Sequence, residues 1–166
     1  MMKASTVAIL TILLALGREG RAQVPDALVV PGEAPILTVH AEGAQIYECK
    51  ADSAGKLMWQ FREPIAALMV DGKTVGRHYT GPSWVLADGS AVTGNVVARA
   101  PGASDKDIPL LRLEVASRRG AGQLTVASTI HRINTRGGTA EGSCERSGAL
   151  LSVPYSADYV FLRKGS

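Results

Sequence analysis

The sequence is poor in the residue types that most often build catalytic and metal sites. Its 166 residues include two cysteines, three histidines and few aromatic residues, namely two Trp, four Tyr and two Phe. Neither cysteine has a Cys or His partner at metal-ligand spacing, which disfavours a zinc site. The chain also has no Gly-x-Ser-x-Gly elbow, no Gly-Lys-Ser/Thr phosphate loop and no complete dinucleotide fingerprint. We therefore expect no metal and no cofactor.

The sequence has no cluster of positive charge. Lys and Arg number 18 against 15 Asp and Glu, and the isoelectric point is near 9.0. Without residues 1–22, the chain would keep 15 basic and 14 acidic residues, a net charge of +1. Nucleic acids and anionic membranes require clustered Lys and Arg, so neither is expected as a partner.

The chain contains one long apolar run, Ala4–Gly17, near its N-terminus. Lys3 precedes this run, and small residues stand at Gly20 and Ala22, three residues and one residue before a cleavage point. This pattern predicts a signal peptide over residues 1–22 and a secreted or periplasmic protein. An uncleaved anchor is the alternative, but the run is shorter than the about 20 apolar residues that span a bilayer. We expect no transmembrane segment in the mature chain.

The two cysteines are predicted to pair. In an exported protein an even number of cysteines favours a disulfide, and a bridge from Cys49 to Cys144 would close a loop of 95 residues. Two buried thiols are the alternative.

The remaining sequence has a pattern that predicts short strands joined by turns. Residues 23–35, rich in Pro and Val, are interpreted as an extended leader along the surface, and residues 36–166 as the β-domain. Asp71-Gly72 and Asp88-Gly89 are typical of two-residue hairpin turns. Pro64 is predicted to end a strand that begins near Leu57, and the last strand is placed at Tyr159–Leu162.

The alternation of apolar and polar residues predicts which side chains of the first strand face the core. Leu37, Val39 and Ala41 share one face, and Gln45, Tyr47 and Cys49 continue beyond Gly43, which is interpreted as a bulge or tight turn. No segment has the periodicity of an amphipathic helix. The sequence predicts one all-β domain, an antiparallel sandwich or flattened barrel of about nine to ten strands.

Several motifs resemble those of a family of secreted bacterial and fungal proteins known as domain of unknown function 3455. The first is the run His40-Ala-Glu-Gly-x-Gln-Ile-Tyr-Glu-Cys49. The others are Trp59-x-Phe61-x-Glu63-Pro64, Gly76-x-His78-Tyr79-x-Gly81-Pro82-x-Trp84, Asp88-Gly89-Ser90, Ile130-x-Arg132-x-Asn134-Thr135-x-Gly137-Gly138 and Pro154-Tyr155-x-Ala157-Asp158-Tyr159. The resemblance covers nearly the whole mature chain. It implies an exported β-domain and brings no catalytic residues with it.

His40 and Glu42 form the first candidate site. They lie two residues apart, so their side chains share one face of a strand and could act as an acid/base pair or begin a metal site. A metal would need a further ligand from His78 or His131. The alternative is an ordinary solvated pair on the surface of a sheet.

The second candidate site surrounds the Gly81-Pro82 turn, where Arg77, His78, Tyr79 and Trp84 could contact a ligand. The alternative is that Tyr79 and Trp84 anchor the core.

The leading hypothesis is an exported domain that binds a small molecule or an envelope component without catalysis. One alternative is a small hydrolase or metal-assisted enzyme that uses His40, Glu42 and His78. A structural protein of the cell-envelope surface, with no pocket, is the other.

Overall fold

A computed structural model describes residues 24–165, so the predicted signal peptide lies outside the described residues. Eight antiparallel strands form a closed barrel in which each strand pairs with the next and the last pairs with the first. The strands are β1 Glu33–Ala51, β2 Leu57–Val70, β3 Lys73–Tyr79, β4 Ser83–Leu86, β5 Ala91–Ala100, β6 Leu110–Arg119, β7 Thr129–Gly137 and β8 Leu150–Lys164. The all-β prediction is confirmed, with eight strands in place of the predicted nine to ten.

The predicted hairpins and the disulfide are present. Asp71 and Gly72 both have positive φ, as a tight turn of the I′ type requires, and they join β2 to β3. Asp88-Gly89 also lies in a hairpin connection, between β4 and β5, but residues 87–90 separate these strands, so the turn is longer than the predicted two residues. Cys49 and Cys144 form a disulfide that ties the end of β1 to the loop before β8. This covalent link holds the loop of residues 138–149 beside the barrel.

Two predicted breaks do not occur. β1 runs through Gly43 without interruption, and its pairing with β2 has a bulge only between Ile46 and Tyr47. A Cβ at residue 43 would lie 2.0 Å from the Ile65 carbonyl oxygen of the neighbouring strand. Gly43 therefore permits a close approach between strands. β2 also runs through Pro64. The pairing of β2 with β3 reaches only to Ala66, so β2 is bonded on one side at Pro64, where proline is tolerated as it is on an edge strand.

The barrel is closed at one end by apolar packing. A 3₁₀ turn at Gln123–Val126 places the fully buried Leu124 in the core cluster at this end. Asp88 holds the turn, since its carboxylate accepts from the Gln123 amide at 2.8 Å and from the Ser90 hydroxyl. The same hydrogen bonds lower the pKa of Asp88. We refer to the end of the barrel that contains Leu124 as the closed end.

The segment before β1 packs against the outer wall. Within residues 23–35, which the sequence predicts as an extended leader, Asp26–Leu28 form a 3₁₀ turn and β1 begins at Glu33. Leu28 is fully buried yet lies outside the core cluster. Arg112 donates to the Val29 carbonyl, which fixes the segment to β6.

Candidate functional site

The barrel contains a cavity of about 460 Å³ near the end opposite Leu124. We call this the open end. The cavity is bordered by the turn between β3 and β4, by the start of β6 and by the bulged region of β1 and β2. Its wall is made mainly of apolar and aromatic side chains. Those with rings are Tyr47, Phe61, Pro64, His78, Pro82, Trp84, Pro109 and Tyr159.

The ring of His78 lies in the wall of this cavity. It stacks on Trp84 with ring centroids 4.5 Å apart and contacts Tyr159 at 4.9 Å. Nδ1 is 2.9 Å from the Ser83 carbonyl oxygen, which can only accept, so in the neutral ring Nδ1 carries the hydrogen and Nε2 is an acceptor. Burial, aided by the nearby Arg132 guanidinium, lowers the pKa of His78 to about 4. The ring is therefore neutral at physiological pH.

Two buried N–H donors in the cavity wall have no partner. Gln45 and Trp84 are 2% and 1% exposed, and neither Gln45 Nε2 nor Trp84 Nε1 has a hydrogen-bond partner among residues 24–165. Buried polar groups are nearly always hydrogen-bonded, because desolvation without a partner costs about 1–3 kcal/mol. Both residues line the cavity. The two nitrogens themselves have almost no accessible surface, so they lie behind the surface of the cavity wall.

The charged groups around the cavity are all cationic. Arg62, Arg99 and Arg132 line it, and no Asp or Glu does. Arg62 forms an ion pair with Glu63 at 3.1 Å. Arg132 donates to the Pro109 carbonyl from Nε at 3.0 Å and from Nη2 at 2.8 Å. These bonds hold the guanidinium at the cavity wall.

Only part of the second predicted site faces the cavity. His78 and Trp84 are in its wall, together with Gly81 and Pro82 of the predicted turn. Arg77 and Tyr79 alternate with His78 along β3 and therefore project from the outer face. There the Arg77 guanidinium lies 5.5 Å from the centre of the Tyr79 ring.

The first predicted site lies outside the barrel. His40 Nδ1 is 2.8 Å from Asp158 Oδ1, and His40 Nε2 is 3.5 Å from Glu42 Oε1. Asn134 donates to the other Asp158 oxygen at 2.7 Å. The inner face of β1 carries Val39 and Ala41, so His40 projects outward, whereas His78 projects inward from β3. The structure does not bring His40 and Glu42 together with His78.

The third histidine, His131, is also separate from the cavity. It is buried on the outer face of β7, close to the Leu28 backbone of the segment before β1. Desolvation lowers its pKa. Among residues 24–165, no three His, Cys, Asp or Glu side chains are grouped closely enough to hold a metal ion.

Sequence reasoning missed several cavity residues, including Gln45, Phe61, Arg132 and Tyr159. One signal was present for Gln45, a polar residue on the apolar face of β1 between Ala41 and Tyr47. Arg132 carries no comparable signal, because both faces of its strand are covered.

These features define an antiparallel eight-stranded barrel protein with an internal cavity open at one end and a disulfide beside that end. The sequence matches a family described as "Protein of unknown function (DUF3455)" over residues 30–73 and 69–163. The chain belongs to this family. No curated protein and no solved structure matches it. No helix within residues 24–165 has the length and hydropathy needed to cross a membrane.

Proposed function

We propose that this protein binds a small, largely apolar molecule in the cavity of its barrel, without catalysis, in the periplasm or outside the cell. The observation that carries this proposal is a ring-lined cavity of about 460 Å³ whose wall includes Gln45 and Trp84, each with a buried N–H donor that has no partner among residues 24–165. An eight-stranded barrel is just wide enough either to be filled by its own side chains or to hold one small ligand.

The size and chemistry of the cavity support a ligand site. Its volume of about 460 Å³ falls in the range of roughly 300–1,000 Å³ that is common for small-molecule pockets. Such pockets combine apolar walls with a few placed polar groups. Here the aromatic rings would contact the body of the ligand, and the polar side chains of the lining would contact its polar atoms.

Export is supported by two features. The disulfide between Cys49 and Cys144 is typical of oxidising compartments. The apolar run near the N-terminus has the composition of a signal peptide.

The alternative functions have less support. An enzyme that uses His40, Glu42 and His78 together would need these side chains to converge, and they lie on opposite sides of the barrel wall. A purely structural envelope protein gives no reason for a ring-lined cavity of this size.

A fluorescence titration tests the proposal. The variant Trp59→Phe leaves Trp84, in the cavity wall, as the single tryptophan. In this background, N-phenyl-1-naphthylamine, a neutral apolar fluorophore, should bind one molecule per chain and quench Trp84 by energy transfer.

A pair of neighbouring variants locates the binding. Val96 lines the cavity, whereas Val97 is similarly exposed and does not. Val96→Phe should weaken probe binding several-fold, and Val97→Phe should leave it unchanged. No saturable binding, or equal effects of the two variants, would refute the proposal.

A further inference from the structure

We infer that the ligand carries one anionic group, such as a carboxylate, and that Arg132 binds it inside the barrel. This inference rests on the proposed function and specifies the class of ligand. The ligand would be a molecule with an aromatic or branched apolar body, enclosed by the rings of the cavity wall, and a single acidic group directed at β7.

Arg132 projects into the barrel from β7. It pairs with Leu111 of β6 and with Tyr159 of β8, both of which are buried core residues, and it alternates with His131 on the outer face. Its guanidinium is fixed by two hydrogen bonds to the Pro109 carbonyl. The group is therefore held in place before any ligand arrives, which reduces the entropy lost on binding.

No carboxylate of the described chain balances this charge. Within residues 24–165, Arg132 forms no ion pair, and the nearest groups that bond it are neutral oxygens. Arg132 is half-buried, so it loses part of its hydration, and a partner of opposite sign would offset that loss. Arg62 has such a partner in Glu63, but Arg132 does not.

The rest of the cavity also favours an anion over a cation. Arg99 adds a second unpaired positive charge at the rim, and the lining contains no acidic side chain. A guanidinium binds a carboxylate through paired N–H groups, which gives directional as well as electrostatic preference.

Two probes that share one ring system test this inference. N-phenyl-1-naphthylamine is neutral, and 8-anilinonaphthalene-1-sulfonate has the same rings with one negative charge. We expect the wild-type protein to bind the anionic probe about tenfold more tightly, the factor that one charge-assisted hydrogen bond supplies. Added salt should reduce this preference and leave the binding of the neutral probe unchanged.

Variants at two arginines assign the preference to its source. Arg132→Gln should bring the affinities of the two probes to within about twofold, and Arg132→Lys should keep part of the difference. Arg163→Gln is the matched control, because this exposed arginine lies at the closed end of β8 and changes the net charge equally. It should leave both affinities unchanged.

The outcomes separate this inference from the proposed function. If neither probe saturates a single site, the proposed function fails. If the neutral probe binds as tightly as the anionic one, or Arg132→Gln and Arg163→Gln have the same effect, the cavity binds ligands but the assignment of an anion to Arg132 is wrong. If Arg132→Gln does not fold, the affinities of the wild-type protein for the two probes, and their dependence on salt, still test whether the cavity prefers an anion.

Discussion

His78 makes the stability of the barrel depend on pH in a way that one substitution can isolate. Burial favours the neutral ring, so its pKa is lowered from 6.5 to about 4 in the folded protein. Between these two pH values the unfolded chain binds a proton at His78 and the folded chain does not. Acidification through this window therefore favours unfolding, and the stabilising contribution is fully present only above pH 6.5.

The magnitude follows from the size of the shift. Each unit of pKa corresponds to about 1.4 kcal/mol, so His78 should account for a loss of about 3 kcal/mol in the free energy of unfolding between pH 6.5 and about 4. This is a large part of the roughly 5–15 kcal/mol by which most domains are stable.

His78→Phe removes the titration and keeps a ring of similar size against Trp84 and Tyr159. Near pH 7.5 the variant should be about 1 kcal/mol less stable than wild type, because the hydrogen bond to the Ser83 carbonyl is lost. Near pH 4 the variant should be the more stable protein by about 2 kcal/mol. The two stability curves should cross between about pH 5 and pH 6.

Urea unfolding of the disulfide-intact proteins at several pH values measures both curves. Subtracting one stability curve from the other removes the contributions of the titratable groups that both proteins share, including the carboxylates and His131. Parallel curves from pH 7.5 to pH 4 would refute the reasoning, since they would mean that His78 titrates alike in the folded and unfolded states.

Three further predictions concern the scaffold. Reducing the disulfide should lower the free energy of unfolding by about 4–5 kcal/mol, the chain entropy of a 95-residue loop, in urea melts with and without reductant. Gly43→Ala should cost more than about 3 kcal/mol by calorimetry, because its Cβ would overlap the neighbouring backbone. Gly55→Ala, which adds only the strain of a positive φ in open space, should cost about 1 kcal/mol. Leu28→Ala should destabilise by about 2–5 kcal/mol or expose the segment before β1 to protease, whereas Val29→Ala, at a side chain 46% exposed, should do neither.

The fold class could be predicted because local signals agree with it. Asp71, Gly72 and Gly89 have the positive φ values that Asp and Gly tolerate in turns, and the alternation along β1 places Val39 and Ala41 on the inner face, as observed. The disulfide follows from an even cysteine count. Closure into a barrel of eight strands was not predictable, since it depends on pairing between β1 and β8 over more than 100 residues.

The candidate site was only partly predictable. The chemistry of His78 and Trp84 marks them as candidates, and both line the cavity, but Arg77 and Tyr79 share the same motif although the strand turns them outward. The sequence does not show which residues of β7 face the interior of the barrel. Ile130 is buried inside the barrel and His131 is buried beneath the segment before β1, so Arg132 shows no alternation that would mark it as inward.

The pairing of β1 with β8 bears on how the protein is made. Glu33–Glu48 pair with Leu150–Lys164. The sheet therefore has two unpaired edges, at β1 and at β7, until β8 has been synthesised. Bare edges invite pairing between chains, and contacts so distant in sequence form slowly. We therefore expect a nascent or truncated chain to need a chaperone to stay soluble. A chain cut short before residue 164 should aggregate, whereas one that includes all of β8 should stay monodisperse.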